Sequence, residues 1–338
     1  TTNGTTVNYA NQASVSGLAY SGTAKLYAVF KRTITFKSGV SAGTSNATPE
    51  QRYNPSATSY ITAVTAGSVT AISGWSALGY RADTSATTAA VAGGGSVTPA
   101  YNTTATTYYG VYSRTITFKS GASAGTTKTA TQYLNASGNG VSAVSALAPT
   151  AISNWSALGY RADTTASSQS WTVTTSAVNI SPAYNVASTL YAVYSRTLTI
   201  SYNGNGNTGG STGNTTKTIY LNANGNAMSS QAVTLAANGF SKTGHTFSKW
   251  AAGSASGTQY GASTSYTPSV AYNAATFGTT MYAIWSINKY TLSVSSTCNG
   301  KTSHSCGTFS VVVAGSTVAT GKTSWSGSYN YNSSYSIT

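Results

Sequence analysis

The sequence predicts a mainly β protein, a tandem array of small modules with at most short helices. Three observations carry that expectation. Framework residues recur at a fixed step: Arg32, Arg114 and Arg196 begin near-identical segments 82 residues apart (32 to 114, 114 to 196), and Val29, Val111 and Val193 repeat the step. Apolar residues alternate with hydroxyls in Thr33-Ile34-Thr35-Phe36, Thr197-Leu198-Thr199-Ile200 and Tyr290-Thr291-Leu292-Ser293-Val294, which puts one face of a strand on a core. Between these runs lie Gly, Asn, Ser and Pro, the residues that turns require. A long period of this kind marks a chain of small domains, each needing only contacts with its neighbours.

Composition agrees with folded modules. The chain has 338 residues, a length that suits two or three domains, and its 40% hydrophobic content with 25 Tyr and 6 Trp supplies real cores, so the Ser, Thr, Asn and Gly richness is not that of a disordered linker. Charged residues are only 6%, so solubility rests on hydroxyls and amides. The net charge of +14 comes from 17 Lys and Arg spread thinly against Glu50, Asp83 and Asp163. Without a basic stripe or helix, the pattern argues against nucleic acid as a partner. Diffuse positive charge suits anionic cell-wall or host glycans instead.

The register divides the chain into residues 1–32, the closing half of an incomplete repeat; repeat 1 at 33–114; repeat 2 at 115–196; repeat 3 at 197–286; and a distinct, incomplete β module at 287–338. Repeats 1 and 2 share more than a framework. Trp75-Ser-Ala-Leu-Gly-Tyr-Arg-Ala-Asp-Thr84 recurs letter for letter as Trp155 to Thr164, and Arg32 to Gly39 recurs as Arg114 to Gly121. With tryptophans at 75, 155 and 250, repeat 3 is expected to carry an insertion near Tyr202–Gly210. Short helices are candidates at Ser142–Leu147 and Ser230–Ala237. Because the register opens and closes inside modules, unpaired strand edges are expected, to be completed by neighbouring copies or further repeats.

Three motifs in one repeat point to a family. Gly244-His-Thr-Phe-Ser-Lys-Trp250, Gly257-Thr-Gln-Tyr260 and Met281-Tyr-Ala-Ile-Trp285 follow one another in the order of Gly-Tyr-Thr-Phe-x-Gly-Trp, Gly-Thr-x-Tyr and Leu-Tyr-Ala-x-Trp. Residues 197–286 thereby resemble a Listeria/Bacteroides repeat, the internalin B-repeat family of bacterial surface proteins. Repeats 1 and 2 depart from the pattern: with Trp75 and Trp155 aligned on Trp250, Ile72 and Ile152 stand for Phe247, Val69 and Pro149 stand for Gly244, and Gly-Thr-x-Tyr is missing. The resemblance implies β-grasp-like modules strung along adhesins, with no catalytic residues. Trp75, Trp155, Phe247, Trp250 and Trp285 are then expected in the cores.

No catalytic constellation or cofactor site emerges. Gly204-Asn-Gly206-Asn-Thr-Gly209 spells a dinucleotide fingerprint, but Thr215–Tyr220 reads as another strand where a phosphate-binding helix is needed. Three scattered carboxylates do not make a glycosidase pair, and His245 replaces a family aromatic with no acid in its repeat. Cys298 and Cys306 predict a small-loop disulfide and an oxidising compartment; a zinc site through His304 would have three ligands at most. Loop tyrosines Tyr53, Tyr80 and Tyr160 are candidates for sugar stacking.

One covarying set remains. Lys37 with Asp83, and Lys119 with Asp163, are present together in repeats 1 and 2 and absent together from repeat 3. An ion pair to lysine, or a local Arg81–Asp83 pair, is the plain reading. An isopeptide bond from lysine to Asn102 or Asn185, assisted by the acid, is the sharper one. The function expected is an extracellular structural stalk or filament segment at the bacterial surface, not an enzyme. Multivalent binding of glycans or receptors is the alternative.

Overall fold

In the computed structural model, residues 6–17, 22–23, 25–55, 61–297 and 307–338 are described, and they are mainly β. Among them no helix exceeds the three-residue 3-10 turns Val40–Ala42, Ala122–Ala124 and Asn224–Asn226. Both candidate helices are extended: Val144–Ala146 and Val233–Thr234 are strands. Their β-branched residues favour a pleated surface over a helical turn, and each finds a partner strand. The chain forms two compact units, residues 1–194 with 221–227, and residues 195–220 with 228–338.

The first unit holds repeats 1 and 2, built alike. Thr35–Ser38 pairs antiparallel with Thr44–Ala47 and parallel with the beginning of the long strand Thr107–Ser120, in register Thr35 to Thr107. Ser76–Arg81 lies antiparallel on the other side of that long strand. In repeat 2 the parallel pair recurs as Thr117 to Thr189, and Ser156–Arg161 repeats Ser76–Arg81. The core of repeat 1 contains Ile34, Phe36, Val64, Ala66, Tyr80, Val91 and Tyr108, with Phe36 and Tyr80 edge to face at 5.2 Å. Alternation explains why. In Thr115-Ile116-Thr117-Phe118 the two apolar residues are buried and the two threonines face outward.

The second unit repeats the parallel pair as Thr199 to Gly278 and the antiparallel one as His245–Ala252 against Gly278–Ile287. Its core ring is Trp250, fully buried beside Tyr202 and Phe247. Phe247 and Trp285 are half-buried. The insertion contributes its own strand pair, Gly209–Gly210 with Phe240–Ser241. Beyond it, Lys289–Ser295 pairs with Ser324–Asn330, and Phe309–Val313 lies between Ser316–Lys322 and Tyr335–Ile337.

Strand pairing corrects the tryptophan alignment. One-turn bridges close Ile72 to Trp75, Ile152 to Trp155 and Lys242 to His245, with Gly74, Asn154 and Gly244 all at positive φ in the turn. The register shift that follows falls at Ala77/Gly79 in repeat 1 and at Phe247/Lys249 in repeat 3. Trp75 and Trp155 therefore correspond to His245, and Tyr80 and Tyr160 to Trp250. The core position asks for a large ring with one polar tip. Tyr80 Oη donates to Ser68 O at 3.0 Å, Tyr160 Oη to Leu147 O at 3.1 Å and Trp250 Nε1 to Ala236 O at 3.0 Å. Gly74-Trp-Ser-Ala-Leu-Gly-Tyr80 then lies on Gly244-His-Thr-Phe-Ser-Lys-Trp250, so neither Val69 nor Pro149 replaces Gly244.

Candidate functional site

The most elaborate construction in the chain is the junction between repeats 1 and 2. It begins with one strand. Thr107–Ser120 closes repeat 1 with its first half and opens repeat 2 with its second, and Thr126–Asn135 pairs with it from Ser120 back to Val111, across the repeat boundary at Arg114. No linker separates the two repeats.

Arg114 stands at that boundary, buried with 8% exposure and without a carboxylate. Its guanidinium is held by oxygens: Nε donates to Gln132 Oε1 at 2.9 Å, Nη1 to Tyr184 O at 3.1 Å and Val186 O at 2.7 Å, and Nη2 to Ala183 O at 2.9 Å and Pro182 O at 3.3 Å. A planar five-donor fork suits this cluster of turn carbonyls as an ammonium would not. Gln132, itself buried, donates its amide to Pro182 O and Ser142 O. Burial pushes the Arg114 pKa below its usual value, and the carbonyl dipoles around it keep the cation.

Trp75 of repeat 1 covers this fork. Its ring centroid lies 4.4 Å from Arg114 Cζ, and its Nε1 donates to Tyr184 O of repeat 2 at 3.0 Å. Ile72, Tyr112, Leu134 and Ala136 complete the buried cluster. The tryptophan expected in the core of its own module is thus a bridge to the next one. Nearby, Tyr112 Oη donates to Thr70 O at 2.7 Å and accepts from Gly39 N at 2.8 Å; Tyr194 does the same with Thr150 O and Gly121 N. Gly39 and Gly121 have φ of 77° and 74°, backbone that a side chain would strain.

Asparagines close the periphery. Asn139 Oδ1 accepts from Ser41 N at 2.8 Å while its Nδ2 donates to Ser41 Oγ at 2.9 Å, and Asn226 clamps Ser123 in the same reciprocal way. Both serines sit in the left-handed region, φ 51° and 50°. Asn135 Nδ2 reaches back to Asp83 O and Ser85 O, as Asn222 Nδ2 does to Asp163 O and Thr165 O. Low charge and abundant amides, noted in the composition, are what this interlocking uses. Sequence repetition marked Arg32 and Arg114, and Asn102 and Asn185, but not the joining of the arginines to Gln51, Gln132 and the Pro-Ala-Tyr carbonyls, although these residues recur together.

Other candidate residues fall elsewhere. Tyr80 and Tyr160 are core residues, with 0% and 1% exposure, so neither offers a ring to sugar. Tyr53 stacks flat on Tyr101, ring centroids 4.4 Å apart. Asp83 pairs through both oxygens with Arg81, and Asp163 with Arg161, each at 2.7 to 2.9 Å. These guanidinium bonds hold both carboxyls well below the usual range. Lys37 and Lys119 make no ion pair among the described residues. Asn102 and Asn185 are exposed corners of the turns Ala100–Thr103 and Ala183–Val186. An exposed, arginine-paired acid and an exposed asparagine lack the desolvation that would neutralise a lysine for isopeptide attack. Cys298, Cys306 and His304 lie outside the described residues.

Two clefts belong to the second unit. One, of about 510 Å³, is lined by Arg196, Phe277 and threonines of the closing strand; Arg196 already donates to Ala274 O and Ala275 O. The other, of about 230 Å³, is rimmed by Tyr290, Tyr329, Tyr331 and Tyr335 with Asn330 and Asn332. Among the described residues no cluster of His, Cys, Asp or Glu could hold a metal, and no helix is long and apolar enough to cross a membrane. Comparison with protein-family models, curated proteins and solved structures found no match to this chain.

Proposed function

We propose that the chain is an extracellular structural segment, part of a stalk or filament at a bacterial surface, made of β-grasp-like modules related to the internalin B-repeats. The observation that carries this reading is the unbroken strand Thr107–Ser120 shared by two repeats, locked by Arg114, Trp75 and the asparagine clamps. A spacer must transmit orientation and force, and a junction with no linker does both. Parallel pairing of the first and last strands in each repeat suits the β-grasp reading. Spin labels at the exposed positions Thr87 and Thr174 test rigidity, using a chain with Cys298 and Cys306 replaced by serine. A single narrow distance peak is expected; a broad distribution overturns the stalk reading.

Adhesive binding is the second reading, and the tyrosine-rimmed cleft supports it. Tyr290, Tyr331 and Tyr335 are 55%, 40% and 62% exposed, enough for rings to stack on a sugar. Glycan-array binding that survives high salt and is lost in a Tyr331→Ala, Tyr335→Ala double variant would favour it. No binding at low ionic strength removes it.

A further inference from the structure

Repeat 1 carries, on the side opposite its junction with repeat 2, the same acceptor face that repeat 2 presents to repeat 1. Arg32 copies Arg114: Nε donates to Gln51 Oε1 at 2.8 Å, Nη1 to Thr103 O at 2.8 Å, and Nη2 to Ala100 O at 2.7 Å and Pro99 O at 3.2 Å. Gln51 copies Gln132, buried and bonded to Thr62 O and Pro99 O. What differs is the cover. Trp75 Nε1 donates to Tyr184 O, whereas the matching Tyr101 O has only a 3.5 Å approach from Arg32 Nη1 among the described bonds. Tyr101 is 46% exposed, and Tyr53, where repeat 2 has buried Leu134, stacks on it.

The segment leading into this face is uncovered as well. Leu26-Tyr-Ala-Val-Phe30 is the counterpart of Leu190-Tyr-Ala-Val-Tyr194, one step of 82 repeated twice. Leu190, Ala192, Val193 and Tyr194 are wholly buried. Leu26, Tyr27 and Phe30 are 59%, 37% and 58% exposed, and residues 25–29 belong to no strand. Near-identical sequence is thus core in one place and solvent-facing in the other. The difference is that Thr189–Tyr191 pairs with Thr117–Lys119, and Tyr194 Oη lies between Thr150 O and Gly121 N.

The geometry points to a docking face, formed by Leu26–Phe30, Arg32, Tyr53 and Tyr101, for the opening half of another repeat of this kind: an Arg-Thr-Ile-Thr-Phe strand with its Ile-Ser-x-Trp turn. The strand would pair parallel with Leu26–Phe30, as Thr117 pairs with Thr189. The indole would lie over Arg32 and donate to Tyr101 O. A second copy of this chain offers no such indole among its intact repeats, because Trp75 and Trp155 are buried.

The inference rests on the array reading and is tested by extending the full chain. A second copy of residues 32–82 is fused directly before Thr1, which puts the added tryptophan one 82-residue step ahead of Trp75. Hydrogen exchange at Leu26–Phe30 is expected to slow by about a hundredfold or more against the unextended chain. Replacing the added tryptophan by alanine should abolish most of that protection. Unchanged exchange at Leu26–Phe30, with amides at Val111–Arg114 still protected, overturns the docking face alone. Rapid exchange at Val111–Arg114 in the unextended chain overturns the array reading itself. Protection in the unextended chain that rises with concentration means that a second copy is the occupant, and also overturns the proposal.

Discussion

Replacing Arg114 by alanine should cost repeat 2 about 4 kcal/mol, and the structure says where that comes from. Pro182 O keeps Gln132 as a donor and Tyr184 O keeps Trp75, so neither is orphaned. Gln132 Oε1, fully buried, loses its partner, at about 1–3 kcal/mol. Ala183 O keeps Val186 N as a donor, and Val186 O turns to water at about 0.5 kcal/mol. Loss of the cation and stem from beneath the Trp75 ring adds about 1–2 kcal/mol. The same chain holds its own control. Arg32 makes matching bonds without a tryptophan over it, so Arg32→Ala should cost about 2 kcal/mol, and Arg114→Lys falls between, about 2–3 kcal/mol, keeping charge without the fork. Native-state hydrogen exchange on peptides covering Thr107–Ser120 and the Pro182–Val186 turn measures these losses locally. Equal costs for Arg32→Ala and Arg114→Ala would refute the argument, since the indole is what separates them.

Three further perturbations follow from the same packing. Trp75→Ala should destabilise the junction by about 3–5 kcal/mol, and a double-mutant cycle with Arg114→Ala should show coupling above about 0.5 kcal/mol; additive losses would mean that the stack contributes nothing. Gly159→Ala, at φ 140° with Trp171 O 1.9 Å from the added Cβ, should cost about 3 kcal/mol or more and detach the Trp171–Thr172 strand, visible as new exchange there. Alkali should unfold the first unit: burial raises Tyr194 to about 12 and raises Tyr80, Tyr112 and Tyr160 as well. Their folded pKa values exceed the unfolded value of about 10, so this stability is complete below pH 10 and is lost as pH climbs towards 12. Tyrosinate absorbance should therefore rise cooperatively with loss of near-UV dichroism, and smooth titration without unfolding would contradict the buried hydroxyl network.

The sequence by itself determined the β class, the repeat step and the strands that carry it, because alternation and period are local properties of the chain. Ile34, Phe36, Ile116 and Phe118 are buried as their pattern requires. It also marked the right residues as important without locating them. Aligning tryptophan on tryptophan set Trp75 against Trp250, whereas register and turn geometry set Trp75 against His245 and Tyr80 against Trp250. A core position that needs a ring with one hydrogen-bonding tip accepts tyrosine or tryptophan alike, so letter identity misleads there. Only the tertiary structure decided that Trp75 faces the next repeat, that Arg114 is held by carbonyls of a turn 68 to 72 residues away, and that Asp83 pairs with Arg81 and not with a lysine. Those facts depend on which strands and turns lie beside which, and the residues that make the contact are far apart in the chain. The physical reason is that a guanidinium or an indole takes its role from whatever acceptors surround it. The period announces such a surrounding, and folding supplies it.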